Sequence, residues 1–352
     1  MPKKKILISG NEAIAEGALQ AGCSFYAGYP ITPQNELIAY MAQYMPKTGG
    51  VFIQAESELA AINMVYGASA AGARAMTSSS SPGISLKQEG ISYIAGAELP
   101  AVIVNIMRGG PGLGNIAPAQ SDYFQATRGG GHGDYHTIVL APGSVQEAYD
   151  LAQTSFYLAD KYRMPVMILG DGILGQMMEP ILVSHKSPAA NRHNKQKPWA
   201  LSGCKGRKPN IIKSFALAEG ALEELNLKLQ RKYKVIKNKE SRFENLFLDD
   251  AKVVLVAYGT MARIAKSALG RLRLAGKKIG LIRPITLWPF PERAFCLRNK
   301  RIKYLVIEMS YGQMLEDVRL TVNGKAGVEF LGRSGGGVPS EEEIINKVKK
   351  IL

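Results

Sequence analysis

Apolar and polar positions alternate with two periods along this chain, and the switching between them predicts an α/β fold. Residues 4–10 form a short extended run, and residues 12–21 an Ala-rich stretch with helical spacing. Residues 24–29 are a second apolar run, closed by Pro30, and Asn35–Tyr44 again reads as helix. Val51–Gln54, a helix from about Glu56 to Ala71, and residues 75–78 continue the rhythm. Residues 101–106 and 166–169 are almost continuously apolar. Strands of that kind are covered on both faces, which points to a parallel sheet. This βαβα rhythm, held over about 175 residues, predicts one doubly wound domain.

From about residue 179 to 249 the rhythm fails. Pro, Asn, Lys and Gly dominate up to Pro209, and residues 216–233 then give one helical pattern ending in Lys and Arg. Alternation resumes with a strand at 252–259, a helix at 261–275, strands at 278–283 and 304–308, and a terminal helix at 344–352. The expected organisation is a doubly wound parallel-sheet domain over 1–180, a basic connector with one helix over 181–249, and a smaller α/β domain over 250–352.

Composition narrows the function classes. The 352 residues suit two domains with sizeable cores, and 46% apolar with 21% charged residues excludes wholesale disorder. No apolar run reaches the roughly 18 residues that would span a bilayer. Lys3, Lys4 and Lys5 are followed only by Ile6-Leu7-Ile8, too short for a signal-peptide core, so a cytoplasmic protein is expected. The net charge is +15, and +10 of it falls between Lys186 and Glu240, where fourteen Lys/Arg face four Glu. That stretch has few aromatics to stack bases, so a solvated basic connector is expected and not a nucleic-acid site. Cys23, Cys204 and Cys296 are far apart, which excludes a disulfide framework and a self-contained zinc or iron–sulfur site.

Three tempting motifs carry little. Gly259-Thr260 with Lys266-Ser267 has the wrong spacing for a phosphate loop. His132 and His136 are four apart, but the glycines at 129–133 exclude the helix that would align them. Gly170-Asp171-Gly172 resembles the start of the thiamine diphosphate magnesium motif, yet Asn191 and Asn194 come too early to complete it. A tight turn at a strand end is expected there, and no metal ligand is assigned in this chain.

The specific signals lie in the first 120 residues. Gly28-Tyr29-Pro30-Ile31-Thr32-Pro33 breaks a strand with two prolines and displays one hydroxyl at the carboxyl end of the sheet, where α/β ligands bind. Glu56 and Glu58 open a helix whose continuation is small and apolar, with Gly67 nine residues after Glu58. A carboxylate at the mouth of a buried helix suits acid chemistry. Serines 78–81 with Pro82 and Gly83 read as a polar turn at a strand end, and Arg108 follows a buried strand beside Gly109, Gly110 and Gly112.

Together these strings resemble the 2-oxoacid:ferredoxin oxidoreductases. The resemblance spans nearly the whole chain, adding Gly10-Asn11-Glu12-Ala13, residues 129–134, residues 283–290 and Glu308-Met309-Ser310 with Gly312-Gln313-Met314. It is nearest to subunits acting on 3-methyl-2-oxobutanoate, with 2-oxoglutarate as the alternative substrate. It implies a pyrimidine-type thiamine diphosphate-binding domain followed by a transketolase C-terminal-like domain. It implies that Glu58 meets the aminopyrimidine N1′, and that Thr32 and Arg108 lie near the substrate carbonyl and carboxylate. Tyr29, Pro30, Ile31, Ser80, Pro82 and Gly83 would line the cofactor with Glu58. It also implies a multi-subunit enzyme that uses coenzyme A and passes electrons to ferredoxin. Mg2+, the diphosphate clamp and iron–sulfur clusters would sit on the partner subunits, including a gamma and a ferredoxin-like subunit. A non-catalytic scaffolding module on the same fold is the reading outside enzymes.

Overall fold

The computed structural model describes residues 4–183, 197–296 and 302–352. Its strands are β1 (Lys4–Ser9), β2 (Phe25–Gly28), β3 (Val51–Gln54), β4 (Ala75–Ser79), β5 (Ala101–Met107), β6 (Ile138–Leu140) and β7 (Pro165–Asp171). They continue as β8 (Met178–Val183), β9 (Phe243–Leu246), β10 (Val253–Val256), β11 (Ile279–Pro284), β12 (Thr286–Trp288), β13 (Lys303–Glu308) and β14 (Gly327–Gly332). A seven-stranded sheet has the order β12-β6-β7-β5-β4-β2-β3, and a five-stranded sheet the order β14-β13-β10-β11-β9. Pairing is parallel throughout both, except that β12 and β9 run antiparallel at their edges.

The buried strands are those with continuous apolar runs. Every residue of β5 and β7 is buried, as expected for strands covered by helices on both faces. β1 behaves differently. It pairs antiparallel with β8 in a separate two-stranded ribbon, with Leu7 exposed and Ile8 buried. That alternation marks a strand with one wet face, which a parallel sheet does not accommodate.

Two strands cross between the units that the sequence suggests. β9 comes from the connector stretch and edges the five-stranded sheet, while β12 leaves the second half of the chain and pairs with β6 of the first sheet. The connector helix runs over Ala221–Lys239, further along than residues 216–233, because Gly220 adopts the left-handed conformation just before it. Leu229, Tyr233 and Ile236 bury its apolar stripe, Lys228 and Lys232 both pair with Glu98, and Arg231, Lys234, Lys237 and Lys239 are exposed.

Polar clasps join the two sheets. Arg283 on β11, 4% exposed, donates to both oxygens of Glu147, at 2.7 and 2.5 Å, and pairs with Glu244 at 2.9 Å. Gln120 accepts from Met309 N at 3.0 Å and donates to Tyr258 O at 3.0 Å. No described helix is long and apolar enough to cross a membrane.

Candidate active site

The carboxyl ends of β2, β3, β4 and β5 converge on one polar patch. After β3 the chain turns into the helix Glu58–Ala70, whose cap is Ser57, with its hydroxyl accepting from Ala60 N at 3.1 Å. The cap is therefore Ser57, which frees the carboxylate of Glu58 from that task. Glu58 is buried and Glu56 exposed, so burial singles out one of the two acids. No hydrogen bond reaches the Glu58 carboxylate among the described residues.

The serine run is not a turn followed by loop. It ends β4 and starts the helix Ser81–Gly96, with Pro82 in the first turn, where a missing N–H costs nothing. A side chain at Gly83 would collide with Glu58 Oε1 and Ser79 Oγ, so glycine is what lets the carboxylate lie against this helix. Ser79 and Ser80 are fully buried, and their hydroxyls have no hydrogen-bond partner among the described residues. Ser80 occupies the cap position but makes no side-chain cap bond. Unmet buried hydroxyls beside a buried acid are costly unless a ligand completes them.

Arg108 follows β5 directly, makes an isolated bridge to Pro118 and is 7% exposed. Its Nη1 donates to Thr32 O at 3.0 Å and its Nη2 to Leu113 O at 3.0 Å, while Nε is buried without a partner. Two of its five N–H groups are thus engaged by main-chain oxygens, and the rest remain for an anion. Thr32 lies at the same edge, with Oγ1 accepting from Asn35 Nδ2 at 3.3 Å. The loop holding Tyr29, Pro30 and Ile31 is anchored from below by Gln34, which donates to Tyr29 O at 3.4 Å and accepts from Ser78 Oγ at 2.5 Å. Tyr29 and Pro30 are exposed and Ile31 half-buried. Glu58 and Gly83 therefore meet, with Ser80 and Pro82 joined to them through the first turn of the helix (Gly83 N donates to Ser80 O at 2.7 Å), and Arg108 and Thr32 form a second group, tied to the same turn by Ser81 Oγ, which accepts from Arg108 N at 3.1 Å.

Several residues of this patch carry no motif. Ser81 Oγ donates to Asp122 at 2.6 Å and Asn105 Nδ2 does so at 2.9 Å. Burial pushes the Asp122 carboxyl up, against the pull of those two bonds. Lys87 is wholly buried on the helix Ser81–Gly96, and burial pushes its ammonium down to about 7, with the charge of Glu58 opposing. Its signal in the sequence is a lysine in register with Ile84 and Ile91, the apolar face of that helix.

The weaker motifs find structural uses. Asp171 caps the short helix after β7, accepting from Ile173 N at 3.0 Å, Leu174 N at 3.1 Å and Thr260 Oγ1 at 2.9 Å. It is a cap and not an open turn, and all three of these bonds fall on Oδ1. His136 stacks on Trp288 with ring centres 4.5 Å apart, whereas His132 lies edge-on to Tyr93, so the two imidazoles serve different contacts. No group of three potential metal ligands occurs among the described residues. Gly67 is exposed and a side chain there would touch nothing in this chain.

Comparison with known proteins identifies the family. The family model for the thiamine diphosphate-binding domain of pyruvate flavodoxin/ferredoxin oxidoreductases matches residues 16–230, and that for core domain II of pyruvate:ferredoxin oxidoreductase matches 251–344. The ketoisovalerate oxidoreductase subunit VorB of Methanothermobacter marburgensis is 51% identical, covering 98% of this chain and 97% of that protein. The 2-oxoglutarate synthase subunit KorA of Methanothermobacter thermautotrophicus is 37% identical, covering 99% of both. A structure of 2-oxoglutarate:ferredoxin oxidoreductase from Magnetococcus marinus, with 2-oxoglutarate, coenzyme A and succinyl-CoA bound, superposes with TM-score 0.88 at 29% identity over 99% of this chain. This chain spans 65% of that longer one. A split gene transketolase, 12% identical with TM-score 0.61 over 97% of each chain, shares the fold. With one family model matching more than half of the chain and relatives well above 30% identity along its full length, this chain belongs to the 2-oxoacid:ferredoxin oxidoreductase family.

Proposed function

We propose that this chain supplies the aminopyrimidine side of a thiamine diphosphate site in an oxidoreductase acting on 3-methyl-2-oxobutanoate. The products are the acyl-coenzyme A, carbon dioxide and reduced ferredoxin. The observation that carries this reading is the Glu58 carboxylate lying against Gly83, where the unmet hydroxyl of Ser79 also points, with the unmet Ser80 hydroxyl on the next residue of the chain. A ring nitrogen and an exocyclic amine fit such a cradle, because the acid can hold a proton and the hydroxyls can accept or donate. The relative at 51% identity favours the branched substrate, and the relatives named for 2-oxoglutarate keep that acid as the alternative.

Bound thiamine diphosphate supplies the electron sink that a 2-oxoacid decarboxylation requires. In this chain, the buried Glu58 carboxylate, which no side chain or amide of the described residues occupies, holds and returns one proton. Arg108 directs its free N–H groups at the substrate carboxylate, and its two main-chain bonds keep the guanidinium in one orientation. Thr32 presents its hydroxyl to the carbonyl side. Tyr29, Pro30, Ile31 and Pro82 wall the ring.

The rest of the cofactor site belongs to partner subunits in this reading. Asp171 is committed to capping, and Cys23 is buried with its thiol pushed up to about 12 by burial. In this reading Mg2+ and the iron–sulfur clusters sit on the other subunits, since Cys23, Cys204 and Cys296 lie too far apart in the sequence to share a cluster. Leu59, Leu86, Leu113 and Ile116 frame the patch with 45, 56, 81 and 66% exposure, an apolar rim suited to a subunit contact. Residues 1–180 are read as the pyrimidine-type unit, 181–249 as connector and 250–352 as the transketolase C-terminal-like unit, with β9 and β12 exchanged across those limits.

The test is the complex reconstituted with its partner subunits and assayed by ferredoxin reduction with 3-methyl-2-oxobutanoate, 2-oxoglutarate and pyruvate. The expected result is a preference of about tenfold or more in kcat/KM for the branched acid. A preference for 2-oxoglutarate would transfer the chain to the alternative substrate. Turnover of none of the three by a complex containing thiamine diphosphate would leave only the scaffolding role.

A further inference from the structure

The mechanism leaves one buried ionisable group beside the site without a role. Lys87 lies one turn after Gly83 on the helix Ser81–Gly96 and is wholly buried. Its Nζ donates to Thr77 Oγ1 at 2.9 Å and to the main-chain oxygen of Glu58 at 3.5 Å. No carboxylate forms an ion pair with it among the described residues. The same helix therefore touches Glu58 twice, at positions four apart on one face. Gly83 lies under the carboxylate, and Lys87 holds the carbonyl.

Packing does not explain a lysine there. Taking an ammonium out of water is costly, and methionine would fill the same space without that cost. Other ionisable groups sit on the neighbouring elements. Tyr66 is on the helix before it, Asp171 on β7, Asp122 and Tyr135 in the following loops, and Glu89 and Tyr93 on its own exposed face. Asp171 and Asp122 are held in their own bonds, and Glu89 accepts from Tyr93 at 2.6 Å. Among the described residues, the charge that opposes the burial of Lys87 is that of Glu58.

We propose that Lys87 is a positioning residue for Glu58, fixing the start of the helix Glu58–Ala70 and placing a cation behind the carboxylate that handles the proton. The inference rests on the role given to Glu58 above. It requires that the lysine cost stability and repay it in turnover. Burial penalises the charged form, so the cost is full below about 7, where Lys87 is protonated in the fold, and fades as pH rises toward the ordinary 10.5.

The experiment compares Lys87→Met, Glu58→Gln, the double variant and Thr77→Val in the reconstituted complex. Lys87→Met is expected to lower kcat about tenfold or more, leave KM for the 2-oxoacid within about twofold, and move the acid limb of the kcat–pH profile to higher pH. Thr77→Val, which removes the anchor and keeps the cation, is expected to act in the same direction by about threefold. In the Glu58→Gln background, Lys87→Met should change kcat no further. The second readout is thermal unfolding of the complex without thiamine diphosphate. Lys87→Met should unfold no lower than wild type at about pH 6 to 7, with any gain shrinking toward about pH 10. Unchanged kcat and pH profile with a lowered unfolding temperature would make Lys87 a purely structural residue and overturn the proposal. Additive losses in the double variant would overturn it too. A Glu58→Gln complex with near wild-type turnover would instead sink the assignment of Glu58 itself.

Discussion

Glu308 and Glu58 are both buried glutamates beside the start of a helix, the first ending β13 of the five-stranded sheet, the second following β3 of the seven-stranded one. Glu308 accepts from Leu315 N at 3.0 Å, Met314 N at 3.0 Å and Ser310 Oγ at 2.8 Å. Both of its oxygens are engaged, and the residue closes the helix Gln313–Val322 from below. Glu58 leaves the same duty to Ser57 and meets instead a glycine, with the unmet hydroxyl of Ser79 pointing at the same space. The contrast separates an acid whose bonds are complete from one whose bonds await another molecule. Burial alone does not distinguish them. Completeness of hydrogen bonding does.

The comparison can be broken most directly by treating both acids alike. Glu58→Gln is expected to lower kcat of the complex by about 10²–10⁴-fold while leaving the unfolding midpoint near wild type. Steady-state kinetics beside a thermal melt checks it, and activity within about threefold of wild type would favour Glu56 or another group. Glu308→Ala is expected to do the reverse. It strands the amides of Met314 and Leu315, so denaturant unfolding should show a loss of about 2–4 kcal/mol, with kcat per folded complex within about twofold.

Arg108→Lys sharpens the comparison at the substrate end. Lysine keeps the charge but cannot hold Thr32 O and Leu113 O while presenting a planar fork. KM for the 2-oxoacid should rise about tenfold, more than kcat falls. Unchanged kinetics with the oxoacid and weaker use of coenzyme A would reassign the residue to the other ligand.

The smallest effect concerns the joint between the sheets. Burial, then the charge of Lys237, pushes His136 down to about 4 from 6.5 while it stacks on Trp288. A depressed folded value means that stability is present above about 6.5 and is lost as pH falls through about 4. His136→Phe should keep the stacking and remove part of that acid loss, on the order of 1 kcal/mol after allowing for partial exposure. Melts across that window would test it. Parallel wild-type and variant curves would show that the imidazole does not titrate there.

Much of this fold was legible where one residue decides one local event. Continuous apolar runs marked β5 and β7, and the Pro-broken run at Tyr29 to Pro33 marked the loop over the site. β12 was not legible, because three residues with ordinary composition carry no period, and their pairing with β6 is a long-range choice. The same holds in the site. Glu58 stood out by its place at a helix mouth, whereas Asp122 and Asn105 matter only because distant segments bring them to Ser81. Lys87 was concealed by a different cause. A lysine on an apolar stripe reads as a break in the pattern, and only its burial shows that the pattern is unbroken.

The placement of β12 has a consequence for synthesis. As the chain leaves the ribosome, β2 to β7 can assemble in order, but β6 keeps an open edge until Trp288 has emerged. For the time it takes to make more than a hundred further residues after β7, a row of unpaired amides and carbonyls on Ile138–Leu140 is available to any neighbouring nascent chain. A fragment ending at residue 249 would carry that open edge permanently. It should self-associate, whereas a fragment reaching past Trp288 has the closing strand.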